Sequence, residues 1–170
     1  GSEMCIRDST GSSFDDTITG GSGADNISAG DGNDTINGGA GIDTIVGGAG
    51  NDVITTSVAS ADIDSADGGG DTDTLALTGA AAGAVVIDLS VAANADQLTS
   101  INGAAQSSVQ TNFENVDAST MTGAGISVTG SSSVNVITGS AQADTINGGA
   151  GNDTIVGGAG NDVITTSVAS

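Results

Sequence analysis

Aspartate recurs every nine residues at Asp16, Asp25, Asp34, Asp43 and Asp52, and the same spacing resumes at Asp144, Asp153 and Asp162. A fixed period of this length marks stacked units that each supply one carboxylate at the same place. The chain has no His, and its one Cys stands outside the pattern, so every candidate ligand is an oxygen. Such a donor set suits a hard divalent cation, calcium above zinc or copper. The wider charge agrees: 21 acidic side chains face a single basic one, for a net charge of −20. Nothing here neutralises phosphates or anionic headgroups, which argues against nucleic acid as a partner. No apolar run approaches spanning length, so membrane insertion is not expected.

The elements that position these aspartates must be unusual. The 170 residues include 29 Gly, no Pro, Trp or Tyr, and two Phe. An ordinary globular core would be filled by Leu and aromatic side chains. Here the apolar residues are mainly Ala, Val and Ile, which leaves disorder or a thin regular stack. Strict periodicity argues for the stack. Gly38-Gly39-Ala40-Gly41-Ile42-Asp43-Thr44-Ile45-Val46 and Gly47-Gly48-Ala49-Gly50-Asn51-Asp52-Val53-Ile54-Thr55 show the unit. Its glycines allow positive φ and close backbone approach. Its last three residues form a short strand with one β-branched side chain inward. Two nonapeptides make one coil, so Ile27 stacks near Ile45, and Ile36 near Ile54, at about 4.8 Å. The same stacking sets Asp25 over Asp43 and Asp34 over Asp52. Facing carboxylates repel by about 1 kcal/mol in water and by more when desolvated. A cation between turns removes that conflict, with glycine-turn carbonyls completing its shell.

The unit reads G-G-x-G-x-D-x-U-x, where U is a large aliphatic residue, and it closely resembles the repeats-in-toxin (RTX) calcium-binding nonapeptide. The resemblance implies an all-β parallel β-roll, or β-solenoid, with several calcium ions held in its glycine-rich turns by the repeat Asp and by backbone oxygens. Carried over position by position, it selects Asp16, Asp25, Asp34, Asp43, Asp52, Asp144, Asp153 and Asp162. The variant Gly68-Gly69-Gly70-Asp71-Thr72-Asp73-Thr74-Leu75 adds Asp73. Candidate carbonyls are those of Gly21, Gly23, Gly30, Gly32, Gly39, Gly41, Gly48, Gly50, Gly149, Gly151, Gly158 and Gly160. Asn135 fills the Asp slot of its own turn, which is expected to bind weakly or not at all. Gln142 displaces a glycine beside Asp144. Asp62, Asp64, Asp67, Asp88 and Asp96 lack the register and read as solvated acids.

Residues 1–9 (Gly-Ser, then Glu3 to Ser9) resemble nothing downstream and read as a non-native or disordered stretch, excluded from fold reasoning. Residues 10–55 form a first repeat block and 126–170 a second. Between them, 56–125 read as metal-poor coils of the same solenoid, with Ile87, Leu89, Phe113 and Val116 inward; a small separate sandwich is the alternative. A short helix over Val91–Leu98 is expected. Residues 36–60 recur at 146–170 with one change, Ile42 against Asn152, an offset of 110 residues. The second block is therefore the start of another unit in a tandem array. With neither His nor Lys for a nucleophile–base pair, and Cys and Arg confined to residues 1–9, catalysis is not expected. The expectation is a calcium-stabilised extender of a bacterial surface adhesin, surface layer or matrix filament, extracellular and exported by type I secretion. The expected alternatives for the open end are continuation into the parent protein or head-to-tail stacking of copies into a filament. The alternatives are the repeat block of a secreted toxin or exoenzyme and an ice-binding β-roll.

Overall fold

A computed structural model describes residues 8–59, 63–92, 95–106 and 108–166. Its frame is one seven-stranded sheet along a flattened coil. In spatial order this sheet comprises β2 (Thr17–Thr19), β4 (Thr35–Asn37), β6 (Val53–Ser57), β8 (Thr74–Ala81), β12 (Asn115–Gly123), β14 (Val136–Thr138) and β16 (Thr154–Val156). The opposite face holds two sheets. The first comprises β1 (Asp8–Thr10), β3 (Asn26–Asp31), β5 (Thr44–Ala49), β7 (Ser65–Gly70) and β11 (Gln110–Thr111). The second comprises β10 (Leu98–Ile101), β9 (Val85–Asp88), β13 (Ile126–Thr129), β15 (Thr145–Asn147) and β17 (Val163–Thr165). Strand pairs are parallel throughout, apart from the β9–β10 hairpin. The result is a parallel β-solenoid with no helix among the described residues.

The repeat strands alternate exposed, buried, exposed, as period-two side chains require. Registers are as the aliphatic spacing demands: Ile27 pairs with Ile45, and Ile36 with Ile54. These four are at most 1% exposed. Full burial of each contributes about 1.5–3 kcal/mol. Small β-branched side chains suffice because the two faces of the coil lie close together.

The middle of the chain stays in the roll but interrupts it. β8 and β12 pair directly although some 41 residues separate Leu75 from Val116. The intervening segment starts the β9–β13–β15–β17 sheet with β9, doubles back as β10, and finishes the β1–β3–β5–β7 sheet with β11. Ile87, Leu89, Phe113 and Val116 are all buried, as expected of inward positions. The expected helix over 91–98 is absent from its described residues: Gln97 is buried and Leu98 opens β10. The Gln97 amide accepts from the Phe113 N–H and donates to the Phe113 carbonyl, both at 2.8 Å. That pair of hydrogen bonds ties the excursion to the stack, a tertiary demand that overrides helix propensity.

Candidate metal centre

The residue just before each strand of the seven-stranded sheet falls in one column, set by the strand registers: Asp16, Asp34, Asp52, Asp73, Glu114, Asn135 and Asp153. The carboxylates do not meet head-on. A backbone N–H lies between successive rungs. The Asp16 N–H donates to Asp34 Oδ1, Asp34 to Asp52 Oδ1, and Asp52 to Asp73 Oδ1, each at 2.8 Å. On the opposite edge Asp25 donates to Asp43 at 2.8 Å, and Asp43 to Asp64 at 3.0 Å. In the second block Asp144 donates to Asp162 at 3.0 Å. The direct opposition expected from stacking is thus partly offset by charge-assisted backbone bonds, which are the stronger kind.

Asp25, Asp34, Asp43, Asp52, Asp73 and Asp144 are buried, while Asp16, Asp153 and Asp162 are half-buried. Asp64, read from sequence as a solvated acid, is buried within the column and also accepts the Thr56 hydroxyl at 3.2 Å. Its spacing hid it: this coil carries three extra residues, so Asp43 and Asp64 lie 21 apart instead of 18. Glu114 was missed for a similar reason, since 41 residues separate it from Asp73. Asp62 lies outside the described residues.

The glycines explain why carboxylates fit so deep. A Cβ on Gly38, Gly47 or Gly157, the first glycine of its repeat, would collide with the Oδ2 of Asp43, Asp52 or Asp162. The second and fourth glycines serve differently: Gly39, Gly41, Gly48 and Gly50 have φ between 99° and 127°. Carbonyl oxygens of Gly21, Gly23, Gly30 and Gly32 occupy the space a Cβ would take on Gly39, Gly41, Gly48 and Gly50 one coil on, so backbone oxygens face along the stack. Gly149, Gly151, Gly158 and Gly160 repeat the left-handed φ in the second block.

What remains is negative charge without compensation. Asp25 Oδ1, Asp34 Oδ2, Asp52 Oδ2 and Asp73 Oδ2 are buried and have no hydrogen-bond partner. Burial pushes the Asp52 carboxyl up, helped by the Asp34 charge and opposed by the Asp34 N–H. Burial likewise drives Asp73 up to about 7, with the charges of Asp52, Glu114 and Asp71 adding and the Asp52 N–H opposing. Asp96, away from the columns, is raised by burial against the opposing N–H groups of Gln110 and Leu98. The chain's only basic side chain is Arg7, outside the described residues. An unpaired buried carboxylate is costly, and a cation with oxygen preference removes that cost. Among the described residues no three acidic side chains converge on one point. Backbone carbonyls therefore have to complete any ion's shell, and the glycine turns provide them. The donor set fits calcium.

Comparison with known families agrees. The family model for the RTX calcium-binding nonapeptide repeat, four copies, matches residues 10–45, 38–57 and 129–164. No curated protein matches the chain. With its matched segments forming the glycine-turned parallel roll, the chain belongs to the RTX calcium-binding nonapeptide-repeat family and binds several calcium ions.

Proposed function

We propose that the chain is a calcium-hardened rod that extends a secreted bacterial surface protein, with no catalytic role of its own. The supporting observation is the seven-stranded sheet, which runs unbroken from one repeat segment to the other because β8 pairs directly with β12 across the excursion. A solenoid of this kind grows in one dimension, each coil resting on its neighbours. Calcium then acts as the mortar between coils. Its side-chain ligands in this reading are Asp16, Asp25, Asp34, Asp43, Asp52, Asp73, Asp144, Asp153 and Asp162. Carbonyls from the second and fourth glycines of the turns complete the shells. Extracellular calcium modules bind at roughly 10⁻⁴–10⁻³ M, a range that keeps the rod ordered only outside the cell.

The test is a calcium titration of the chelated protein, followed by circular dichroism and small-angle scattering. Millimolar calcium is expected to raise the β signal and lengthen the particle. An unchanged β signal in chelator, or a compact particle in calcium, would overturn the reading. Ice binding is not favoured: the outward rank Thr17, Thr35, Val53, Thr74, Asn115, Val136, Thr154 is broken by two valines and an asparagine.

A further inference from the structure

Glu114 belongs to no nonapeptide, yet strand register sets it one rung above Asp73: Asn115 pairs with Thr74, so the residues preceding them align. Glu114 Oε2 accepts the Asp73 N–H at 2.8 Å, the bond each repeat aspartate makes to the rung below it. The turn before it copies the repeat backbone. Two residues ahead of the carboxylate, where the repeat has its fourth glycine, stands Asn112 with φ 58°. Asparagine is among the few side chains that tolerate this region. The same slot before Asp73 is filled by Asp71, φ 75°.

An independent observation concerns the space beside Asp73. This residue is 0% exposed, and its Oδ2 has no partner. That oxygen points into the hollow left by the missing side chain of Gly68, 2.6 Å from where a Cβ would stand. The Asn112 carbonyl oxygen enters the same hollow. One coil below, the hollow at Gly47 receives the corresponding pair, Asp52 Oδ2 and the Gly68 carbonyl. The non-repeat turn thus reproduces the oxygen pair of a repeat turn.

We propose that Asp73, Glu114 and the Asn112 carbonyl form a further calcium site, placed at the joint between the first repeat block and the excursion. The site rests on the reading that the aspartate columns hold calcium. Above it the column changes character. Asn135 Nδ2 donates to the Glu114 carbonyl, and Asn135 Oδ1 accepts the Ser131 N–H at 2.8 Å. An amide there satisfies both neighbours without an ion, so the cation row of this block ends at Glu114.

Calorimetric titration of calcium into the chelated full chain decides. Glu114→Gln keeps an oxygen for the Asp73 N–H and removes the charge; its calcium count is expected to fall by one, with the wild-type circular dichroism at saturating calcium. Glu114→Asp keeps the charge and is expected to restore the wild-type count. A wild-type count in Glu114→Gln, a count one lower in Glu114→Asp, or failure of both variants to fold in calcium would overturn the site. No calcium uptake by the wild type would instead overturn the reading beneath it.

Discussion

At the scale of single residues, the chain separates two uses of glycine that look identical in sequence. Gly47 is needed for space, because a methyl there collides with Asp52 Oδ2. Gly47→Ala is expected to cost about 1–3 kcal/mol, the usual penalty of overpacking, and to weaken calcium binding. Gly23 has nothing within 4 Å of its missing Cβ. Gly23→Ala is therefore expected to stay within about 0.5 kcal/mol of wild type; thermal melts in calcium compare the two. The raised carboxyl of Asp73 sets a pH dependence. Its folded pKa of about 7 lies above the ordinary aspartate value of 3.8. Its contribution is thus fully present below about pH 4 and is lost as pH rises toward 7. In calcium-depleted buffer the melting temperature is expected to rise from pH 7.5 to pH 5. Bound calcium reverses the sign, since protons then compete with the ion.

At the scale of elements, the excursion and the repeats are held by different forces. Gln97 gives both its amide groups to Phe113. Gln97→Ala leaves a buried N–H and carbonyl unpaired, at about 1–3 kcal/mol for each group. That loss is expected with and without calcium. Asp52→Asn is expected to destabilise the protein only when calcium is present, because in chelator it removes a buried charge that opposes folding. Denaturant melts of both variants in calcium and in chelator test the contrast. A loss for Asp52→Asn of equal size in both buffers would remove calcium from the account of that column.

At the scale of the whole molecule, two consequences follow. Leu75, Leu77, Val85, Ile87, Leu98, Ile101, Phe113, Met121 and Val128 form an apolar core richer than the single Ile per strand of the repeats. On calcium removal, amide exchange is expected to stay slow in β8, β9, β10, β12 and β13 while β2 to β5 and β14 to β17 lose protection. Uniform loss would show one cooperative unit instead. The second consequence concerns the 110-residue offset. Ile36 lies in β4 of the seven-stranded sheet, whereas its copy Ile146 lies in β15 on the opposite face. The near-identical segment has moved on by a half-integral number of coils. Two 110-residue units joined in tandem are expected to carry their excursions on opposite faces of the rod, visible by electron microscopy.

How much of this was legible beforehand follows from where the information lies. The nonapeptide is local: its glycines, aspartate and inward aliphatic residue lie within nine positions, so the parallel roll, the Ile27–Ile45 register and the aspartates on its edges could all be read directly. The carboxylates that interrupt this rhythm could not. Asp64 and Glu114 reach their columns because strands 21 and 41 residues apart pair in register, which only the folded stack decides. The same holds for Gln97, where helix propensity yields to two hydrogen bonds with a residue 16 positions away. The face on which each copy of a repeat lies is likewise tertiary: a nonapeptide is the same on either side of the roll, and the number of coils before it makes the choice.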